Sequence, residues 1–414
     1  MGKNPKSTRL GCRNCGKPGG GRATWPARVR RVHMSGVADR LREHVRMRAL
    51  VAHSGGPTAV LNASLAGLVC GCRGRYESLV ASAFGFEGLL SGRLTDLLSI
   101  PEERWAAIRL SPGSVIGSSR KAFEPEAVTR ALREAGIDTV FLTGGNGTMR
   151  TALELSRRGV RVTGIPKTID NDLAVTHHSP GYASTAYFFA CAARDIGMDV
   201  VALPSPICVL ETLGRNTGWI TAATALARRD EGDAPHVVLL PEVRRSLDDI
   251  AAEVERVYRK LGRVVIAVCE GQLDEEGLPF GADVDRPEIG HYRLASNLGH
   301  TLALALSAKL GLRARAERPG LLGRSCGEYA RPRDLAESFA CGQAAAGAEG
   351  GVMIALNAAG GTFEVPLGDV AGVERGMTPE FVADSQAFLR YLEPLTGPVE
   401  PWASTLVQEI WRRG

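Results

Sequence analysis

The sequence predicts an α/β protein with two doubly wound, parallel-sheet lobes and an active site between them. Short, continuously apolar segments alternate with longer helical patterns along the chain, and this order is typical of βαβ units in parallel sheets. Several apolar segments run directly into turns rich in glycine or polar residues. Such turns mark the ligand-binding edge of an open α/β sheet.

The predicted strands are the short apolar runs, and the predicted helices follow several of them. The strands are predicted at residues 49–53, 78–84, 137–142, 160–165, 207–210, 236–240, 264–268 and 351–356. Helices are predicted at 59–70, 149–158 and 246–261, with a further helix that ends near residue 195. The run at 137–142 is mostly apolar and ends in Val140, Phe141 and Leu142, so it is interpreted as a strand buried on both faces.

Length and composition indicate a globular chain of more than one domain. The 414 residues suggest two or three domains, and a hydrophobic content of 44% with 49 glycines is typical of loop-rich α/β proteins. No apolar run is long enough to span a membrane, and the basic N-terminus lacks the apolar segment of a secretory signal. We therefore expect a cytoplasmic location and no membrane partner.

Residues 1–46 differ from the rest of the chain in charge. They hold twelve Lys/Arg and two Asp/Glu, a net of +10, so the remainder carries −5 of the overall +5. Because the positive excess is confined to this segment, nucleic acid is not expected as a partner. Its Gly-, Pro- and Arg-rich composition predicts a disordered extension. We expect translation of the natural protein to start at Met34 or Met47.

The nine cysteines are scattered and odd in number, so no disulfide framework is predicted. Cys191, Cys208 and Cys269 lie in apolar runs and are expected to be buried, reduced thiols. Cys12 and Cys15 lack a second pair at zinc spacing.

The chemistry is concentrated in residues 164–172, where the strand 160–165 ends at Pro166. Asp170 and Asp172 are two residues apart and would point the same way in an extended chain. One carboxylate could take a proton from a hydroxyl while the other holds a cation or an attacking group. Lys167 and Thr168 could bind phosphate oxygens. The alternative is a polar turn that caps the next helix.

Two further turns have the composition of phosphate-binding loops. Residues 54–56 and 144–148 are glycine-rich, follow predicted strands and precede predicted helices. Glycines permit close approach of the backbone, and the amides of a helix N-terminus point at a bound anion.

These motifs and several others, taken in order, resemble the phosphofructokinase family. The resemblance covers roughly residues 47–375 and rests on the segments 54–58, 117–120, 144–148, 164–172, 211–219, 269–271 and 319–325. It implies a donor-binding lobe at 47–182 plus about 322–375, and an acceptor-binding lobe at about 183–321 plus 376–414. It also implies a homodimer or homotetramer with shared active sites.

The resemblance implies transfer of a phosphoryl group from ATP-Mg²⁺ to the 1-hydroxyl of fructose 6-phosphate or a related sugar phosphate. Asp170 would be the general base, Thr168 and Asp172 would orient the hydroxyl, and Arg215 would stabilise the transition state. The implied donor-binding residues are Gly56, Arg120, Lys121, Gly145, Asn146, Gly147, Thr148 and Lys167. The implied acceptor-binding residues are Thr168, Ile169, Asp170, Leu213, Gly214, Arg215, Glu270, Arg315, Leu321 and Arg324. Arg315 would reach into a neighbouring subunit's site.

Two positions, Gly147 and Lys167, bear on the identity of the phosphoryl donor, and they point to different donors. Family members that use pyrophosphate usually carry aspartate at the position of Gly147, so this glycine resembles the ATP-using pattern. Lys167 is typical of pyrophosphate users, although some ATP-using branches combine the two residues. The sequence therefore favours ATP, with a pyrophosphate-dependent phosphofructokinase as the alternative.

Two departures from the family pattern leave a second alternative open. Asn146 replaces an acidic residue near the bound Mg²⁺, so Asn146 and Asp172 are only weak candidate metal ligands. Pro206 replaces an Arg or Lys that binds the 6-phosphate of the acceptor, which predicts that fructose 6-phosphate is a weak or unnatural substrate. A non-catalytic protein that binds sugar phosphate or nucleotide as a regulator would also tolerate both changes.

Overall fold

The structure is a computed structural model that describes residues 47–203, 205–278, 280 and 297–400. The expectations for residues 1–46, including those for Cys12, Cys15 and Met34, lie outside the described residues.

The first sheet has seven strands in the order β11-β10-β5-β4-β1-β2-β3. Its parallel centre is formed by β2, β1, β4, β5 and β10, and the edge strands β3 and β11 pair antiparallel. The strands are β1 Arg48–His53, β2 Ser78–Ser82, β3 Leu94–Asp96, β4 Thr139–Gly144, β5 Arg161–Pro166, β10 Val352–Leu356 and β11 Thr362–Pro366.

The second sheet has four parallel strands in the order β7-β8-β6-β9. The strands are β6 Ile207–Thr212, β7 Val237–Leu239, β8 Val264–Cys269 and β9 Ala314–Glu317. Every residue of β6 and β8 is buried, as their largely apolar sequences predict for strands covered on both faces. We propose that each sheet is the centre of one of the two lobes expected from the sequence.

Helices cover the sheets and supply most of the remaining core. They are α1 Leu61–Cys72, α2 Phe86–Ser91, α3 Glu102–Leu110, α4 Pro125–Glu134, α5 Asn146–Arg157, α6 Tyr182–Ala202, α7 Trp219–Ala223, α8 Leu247–Leu261, α9 Leu298–Leu310, α10 Leu321–Ser325, α11 Pro332–Ala345, α12 Leu367–Val370, α13 Pro379–Ala383 and α14 Ser385–Thr396. Apolar residues of α1 and α11 pack with one set of first-sheet side chains, and those of α4 and α5 pack with another set. This arrangement confirms the doubly wound α/β prediction.

All eight predicted strands are present, with ends that differ by a few residues. The sequence missed β3, β9 and β11, which are short or lie at sheet edges. Cys191, Cys208 and Cys269 are buried and free, as predicted. Among the described residues, no helix combines the length and the hydropathy that a membrane crossing needs.

The topology brings the carboxyl ends of five strands to one cleft of about 820 Å³. Residues that directly follow β1, β4 and β5 line it from the first sheet, namely Ser54, Gly145 and Lys167. Leu213 and Glu270, which follow β6 and β8, line it from the second sheet. This is the position at which open α/β sheets bind ligands.

Candidate active site

The segment after β5 is fixed by its two neighbours at the cleft. The Lys167 N–H donates to the Gly144 carbonyl at 3.0 Å, at the end of β4, and the Thr168 N–H donates to the Pro180 carbonyl at 3.3 Å. The side chain of Thr168 accepts from the Asp170 N–H at 3.1 Å. Backbone hydrogen bonds to the end of β4 and to Pro180 therefore fix the position of the chain just before Asp170.

Asn171 reverses the chain between the two aspartates. Its φ of 54° is left-handed, a region that asparagine enters more readily than most residues. The Asn171 side chain accepts from the Ser179 N–H at 3.0 Å and donates to the Tyr391 hydroxyl at 3.0 Å. The expectation of an extended chain from Asp170 to Asp172 was thus wrong, although both residues line the cleft.

Asp170 lies opposite Arg215, which follows β6. The Arg215 Nε and the Asp170 Oδ2 are 4.0 Å apart, and the Asp170 side chain is 16% exposed. Burial raises the pKa of Asp170, while the positive charge of Arg215 opposes this rise. A carboxylate with a raised pKa is a stronger base than a solvated one, as general-base catalysis requires.

Asp172 is the more buried carboxyl, at 9% exposure. Burial and then the charge of Asp170 raise its pKa to about 6. The Asp172 Oδ1 is buried and has no hydrogen-bond partner in the described part of the protein, so no other described group occupies this carboxylate oxygen. Asp172 therefore fits the weak Mg²⁺ assignment made from the sequence.

We expect Asp172→Asn to increase stability above about pH 6 and to leave it unchanged near pH 4. Between these values the folded protein binds more protons at this site than the unfolded chain, so wild-type stability falls as pH rises. A pKa raised to about 6 from 3.8 corresponds to about 3 kcal/mol once the carboxyl is ionised. Urea unfolding at both pH values would measure this difference.

Asp248→Asn is a suitable control, because the Asp248 side chain is 80% exposed and exposed charges contribute little. An Asp172→Asn protein that is less stable than wild type at pH 8 would contradict the destabilising role of this buried charge.

Lys167 and Arg324 face the glycine-rich turn after β1. Lys167 is 4% exposed, and burial followed by the charge of Arg324 lowers its pKa to about 8. A Cβ at Gly55, whose φ is +81°, would lie 2.9 Å from the Lys167 Nζ, and one at Gly56 would lie 2.4 Å from an Arg324 nitrogen. The left-handed φ of Gly55 favours glycine, whereas a side chain at Gly56 would require the Arg324 guanidinium to shift.

The start of α5 forms another wall of the cleft. Gly147 is exposed, and no atom would lie within 4 Å of a Cβ placed there. The Asn146 side chain is engaged elsewhere: its Oδ1 accepts from the Gly372 N–H at 2.8 Å and its Nδ2 donates to the Val373 carbonyl at 2.8 Å. Both polar atoms of the Asn146 side chain are thus bonded to the backbone of Gly372 and Val373. This argues against the assignment of Asn146 as a metal ligand.

Nearly all of the site residues expected from the sequence line this one cleft. The structure brings together Gly56, Arg120, Lys121, Gly145, Asn146, Gly147, Thr148, Lys167, Thr168, Ile169, Asp170, Asp172, Leu213, Arg215, Glu270, Leu321 and Arg324. Gly214 and Arg315 are the exceptions, since neither is among the lining residues.

Arg315 lies away from the cleft because of the direction of β9. This strand runs parallel to β6, with Arg315 beside Cys208 near the amino end of both strands, and the Arg315 guanidinium pairs with Asp199. Arg318, just beyond the carboxyl end of β9, lines the cleft instead and places its Nε 2.7 Å from buried Glu211. The sequence analysis had assigned Arg318 no role.

The cleft thus sets the carboxylates of Asp170, Asp172 and Glu270 against a group of cations. Asp170 can accept a proton from a hydroxyl, and Lys167, Arg215 and Arg324 can neutralise phosphoryl oxygens beside it. Such an arrangement at the carboxyl edge of parallel sheets is what phosphoryl transfer to a hydroxyl requires.

Comparison with known proteins identifies the family. The family model for phosphofructokinase matches residues 48–346. A pyrophosphate–fructose 6-phosphate 1-phosphotransferase of Rhodospirillum rubrum is 32% identical over 393 residues, which cover 87% of this chain and 96% of that protein. A sulfofructose kinase of Alkalicoccus urumqiensis is 30% identical over 370 residues, covering 84% of this chain and 95% of that protein. The crystal structure of a pyrophosphate-dependent phosphofructokinase from Nitrosospira multiformis matches with a TM-score of 0.76 at 28% identity, covering 86% of this chain and 94% of that one.

The chain belongs to the phosphofructokinase family. It is an enzyme of the 6-phosphofructokinase type, a phosphotransferase whose acceptor is an alcohol group, as the sequence predicted. The names of the relatives favour the pyrophosphate alternative over the ATP preference drawn from Gly147.

Proposed function

We propose that this enzyme transfers a phosphoryl group to a hydroxyl of an anionic sugar with Asp170 as the general base. The observation that carries the proposal is the buried Asp170 carboxylate 4.0 Å from Arg215 in a cleft shared with Lys167 and Arg324. The sugar oxygen gives its proton to Asp170 and bonds to the donor's terminal phosphorus. The bond from that phosphorus to the leaving phosphate oxygen breaks at the same time.

The cations act mainly by positioning and charge neutralisation. Arg215 lies beside the base, so its planar guanidinium can bind the transferring phosphoryl group as negative charge spreads over its oxygens. Lys167 and Arg324 lie near the Gly55–Gly56 turn, where donor oxygens can reach both side chains and backbone amides. Holding both reactants in line supplies much of the rate enhancement expected for phosphoryl transfer.

Mg²⁺ is the expected cofactor, and Asp172 is the residue that fits it best. Asp172 lines the cleft and its buried Oδ1 has no hydrogen-bond partner among the described residues, and carboxylate oxygens are preferred Mg²⁺ ligands. Among the described residues, no group of three or more His, Cys, Asp or Glu side chains could hold a metal ion. Donor phosphates would therefore complete the coordination, and the ion would neutralise charge on them.

For the donor, we propose pyrophosphate first and ATP second. Pyrophosphate is named in the relatives from Rhodospirillum rubrum and Nitrosospira multiformis. ATP is favoured by a recess of about 130 Å³ that shares Ser54, Lys121, Thr148 and Thr151 with the cleft. Phe86, Phe123 and Leu155 give the recess an apolar lining. Such a lining can bind a nucleobase, whereas pyrophosphate has no apolar group that would bind there.

A donor-by-acceptor activity matrix tests the proposal. Each donor would be combined with fructose 6-phosphate and with 6-deoxy-6-sulfofructose, and the phosphorylated product would be followed by phosphorus NMR. We expect Mg²⁺-dependent turnover with at least one pair, and higher kcat/KM with pyrophosphate. Binding of ligands without turnover for every pair would contradict the proposal and favour a regulator.

We propose that the acceptor is an anionic sugar and that residues of a second subunit bind part of it. Pro206 precedes β6 and Leu213 follows it, which separates position 206 from the cleft by roughly 20 Å of strand. Position 206 and Arg315 lie at the same end of the second sheet. A cation at either position could reach an acceptor only in a neighbouring chain's cleft, in agreement with the shared sites implied by the family resemblance.

We expect Pro206→Arg to lower the KM for fructose 6-phosphate by about tenfold. One charge-assisted contact contributes on the order of 1.5–3 kcal/mol, and tenfold corresponds to about 1.4 kcal/mol. Pro206→Met is the matched control, because it removes the ring without adding charge. A low-micromolar KM for the wild-type protein would overturn this inference, as would an equal effect of both variants.

A further inference from the structure

Residues 372–377 form a strap between α12 and α13 that touches three separate parts of the active site. They lie outside the segment matched by the family model, residues 48–346. The first contact is with the start of α5, where Gly372 and Val373 hold the Asn146 side chain by two hydrogen bonds of 2.8 Å. The strap therefore fixes the residue at which α5 begins.

The second contact is with the segment that carries the two aspartates. The Arg375 N–H donates to the Asp172 carbonyl at 2.8 Å. Its guanidinium donates to the Asn171 carbonyl at 2.9 and 3.2 Å, to the Thr176 carbonyl at 2.6 Å and to the His177 carbonyl at 2.9 Å. One side chain thus holds three carbonyls of an irregular segment, and the Tyr391 hydroxyl also donates to the His177 carbonyl at 2.9 Å.

The third contact is with the segment that follows Arg215. The Trp219 Nε1–H donates to the Arg375 carbonyl at 3.3 Å, and the Arg375 guanidinium lies 4.8 Å from the centre of the Trp219 ring. The Glu242 carboxylate accepts from the Met377 N–H at 3.3 Å and from the Gly218 N–H at 2.9 Å. Trp219 is 2% exposed, so this anchor is part of the core.

We infer that Arg375 is a positioning residue that sets Asp170 against Arg215. It does not line the cleft, so it acts through the backbone of one segment and the tryptophan of the other. The inference rests on the proposed function, in which these two residues handle the proton and the phosphoryl charge. Lysine cannot replace it, because a single ammonium lacks the fork that reaches three carbonyls.

The test compares Arg375→Lys and Arg375→Met with wild type in steady-state kinetics and thermal unfolding. We expect kcat to fall about 100-fold, since misplacement by about 1 Å from outside the reacting groups can cost that much. The KM values for donor and acceptor should stay within about threefold, because Arg120, Lys167 and Arg324 do not contact Arg375. A merely structural role would lower the melting temperature without separating kcat from KM.

Arg73→Lys is the matched control. Arg73 also caps two backbone carbonyls, those of Leu98 and Ile100, and it does not line the cleft. We expect this variant to keep its kcat. A kcat within threefold of wild type for Arg375→Lys would overturn the inference, as would an equal kcat loss in Arg73→Lys.

The wild-type assay separates this inference from the proposed function. A wild-type protein without turnover contradicts the proposed function itself, whereas an active wild type with active Arg375 variants contradicts only the role of Arg375. Arg375→Lys keeps the aliphatic stem and the charge, so it decides the question if Arg375→Met does not fold.

Discussion

Asp170→Asn is expected to lower kcat by about 10²–10⁴ while leaving the KM of the acceptor nearly unchanged. The amide keeps the shape of the carboxylate but cannot take the proton of the attacking hydroxyl, and loss of a general base costs about this much. The backbone of Asp170 is held by Thr168 and Thr217 through bonds of 3.1 and 3.0 Å, so the loop should keep its position. Steady-state kinetics with the preferred donor would measure both constants.

Asp172→Asn provides the comparison within the same loop. It should alter the Mg²⁺ dependence of the rate, because Asp172 is the proposed ligand, whereas Asp170→Asn should lower the rate at saturating Mg²⁺. Near-normal turnover of Asp170→Asn at neutral pH would remove Asp170 from the role of base.

Arg215→Met should lower kcat by about 10³, within the range reported for arginines that stabilise a transferring phosphoryl group. It should also move the acidic limb of the pH–rate profile to higher pH. The positive charge of Arg215 holds down the pKa of Asp170, which burial raises, so its removal lets that pKa rise further. The base would then be protonated over more of the acidic range.

The pH–rate profile distinguishes a loss of this charge from a general disturbance of the cleft. Arg318→Met is the control, because Arg318 lines the same cleft but pairs with Glu211. It should change the KM of the acceptor and leave the acidic limb in place. An unshifted limb in Arg215→Met would show that this arginine does not act on the base.

The sequence predicted those parts of the molecule whose cause is local. Strands β4, β6 and β8 are rich in apolar residues and buried at every position, so their composition alone indicates buried strands. The glycine-rich turns were also predictable, because a left-handed φ such as that of Gly55 favours glycine. By contrast, β11 is mostly exposed along its length and has no apolar pattern to detect.

Features that depend on non-local pairing could not be predicted. Arg315 and Arg318 differ by three residues, yet only the register of β9 against β6 decides which of them faces the cleft. Asn146 was compared with an acidic metal ligand, but its partners are backbone groups 226 and 227 residues away. The sequence did not indicate a role for Arg375 for the same reason. Its partners are backbone carbonyls, which every residue carries, so no residue type identifies them.

The contacts of Arg375 also affect how binding free energy is used. An irregular segment that carries a catalytic base must be ordered before reaction, and ordering each residue costs roughly 1–2 kcal/mol of conformational entropy. In this protein the Asn171, Thr176 and His177 carbonyls are held by the chain's own Arg375 side chain. That entropic cost is therefore met during folding, and more of the interaction with substrate remains for the transition state.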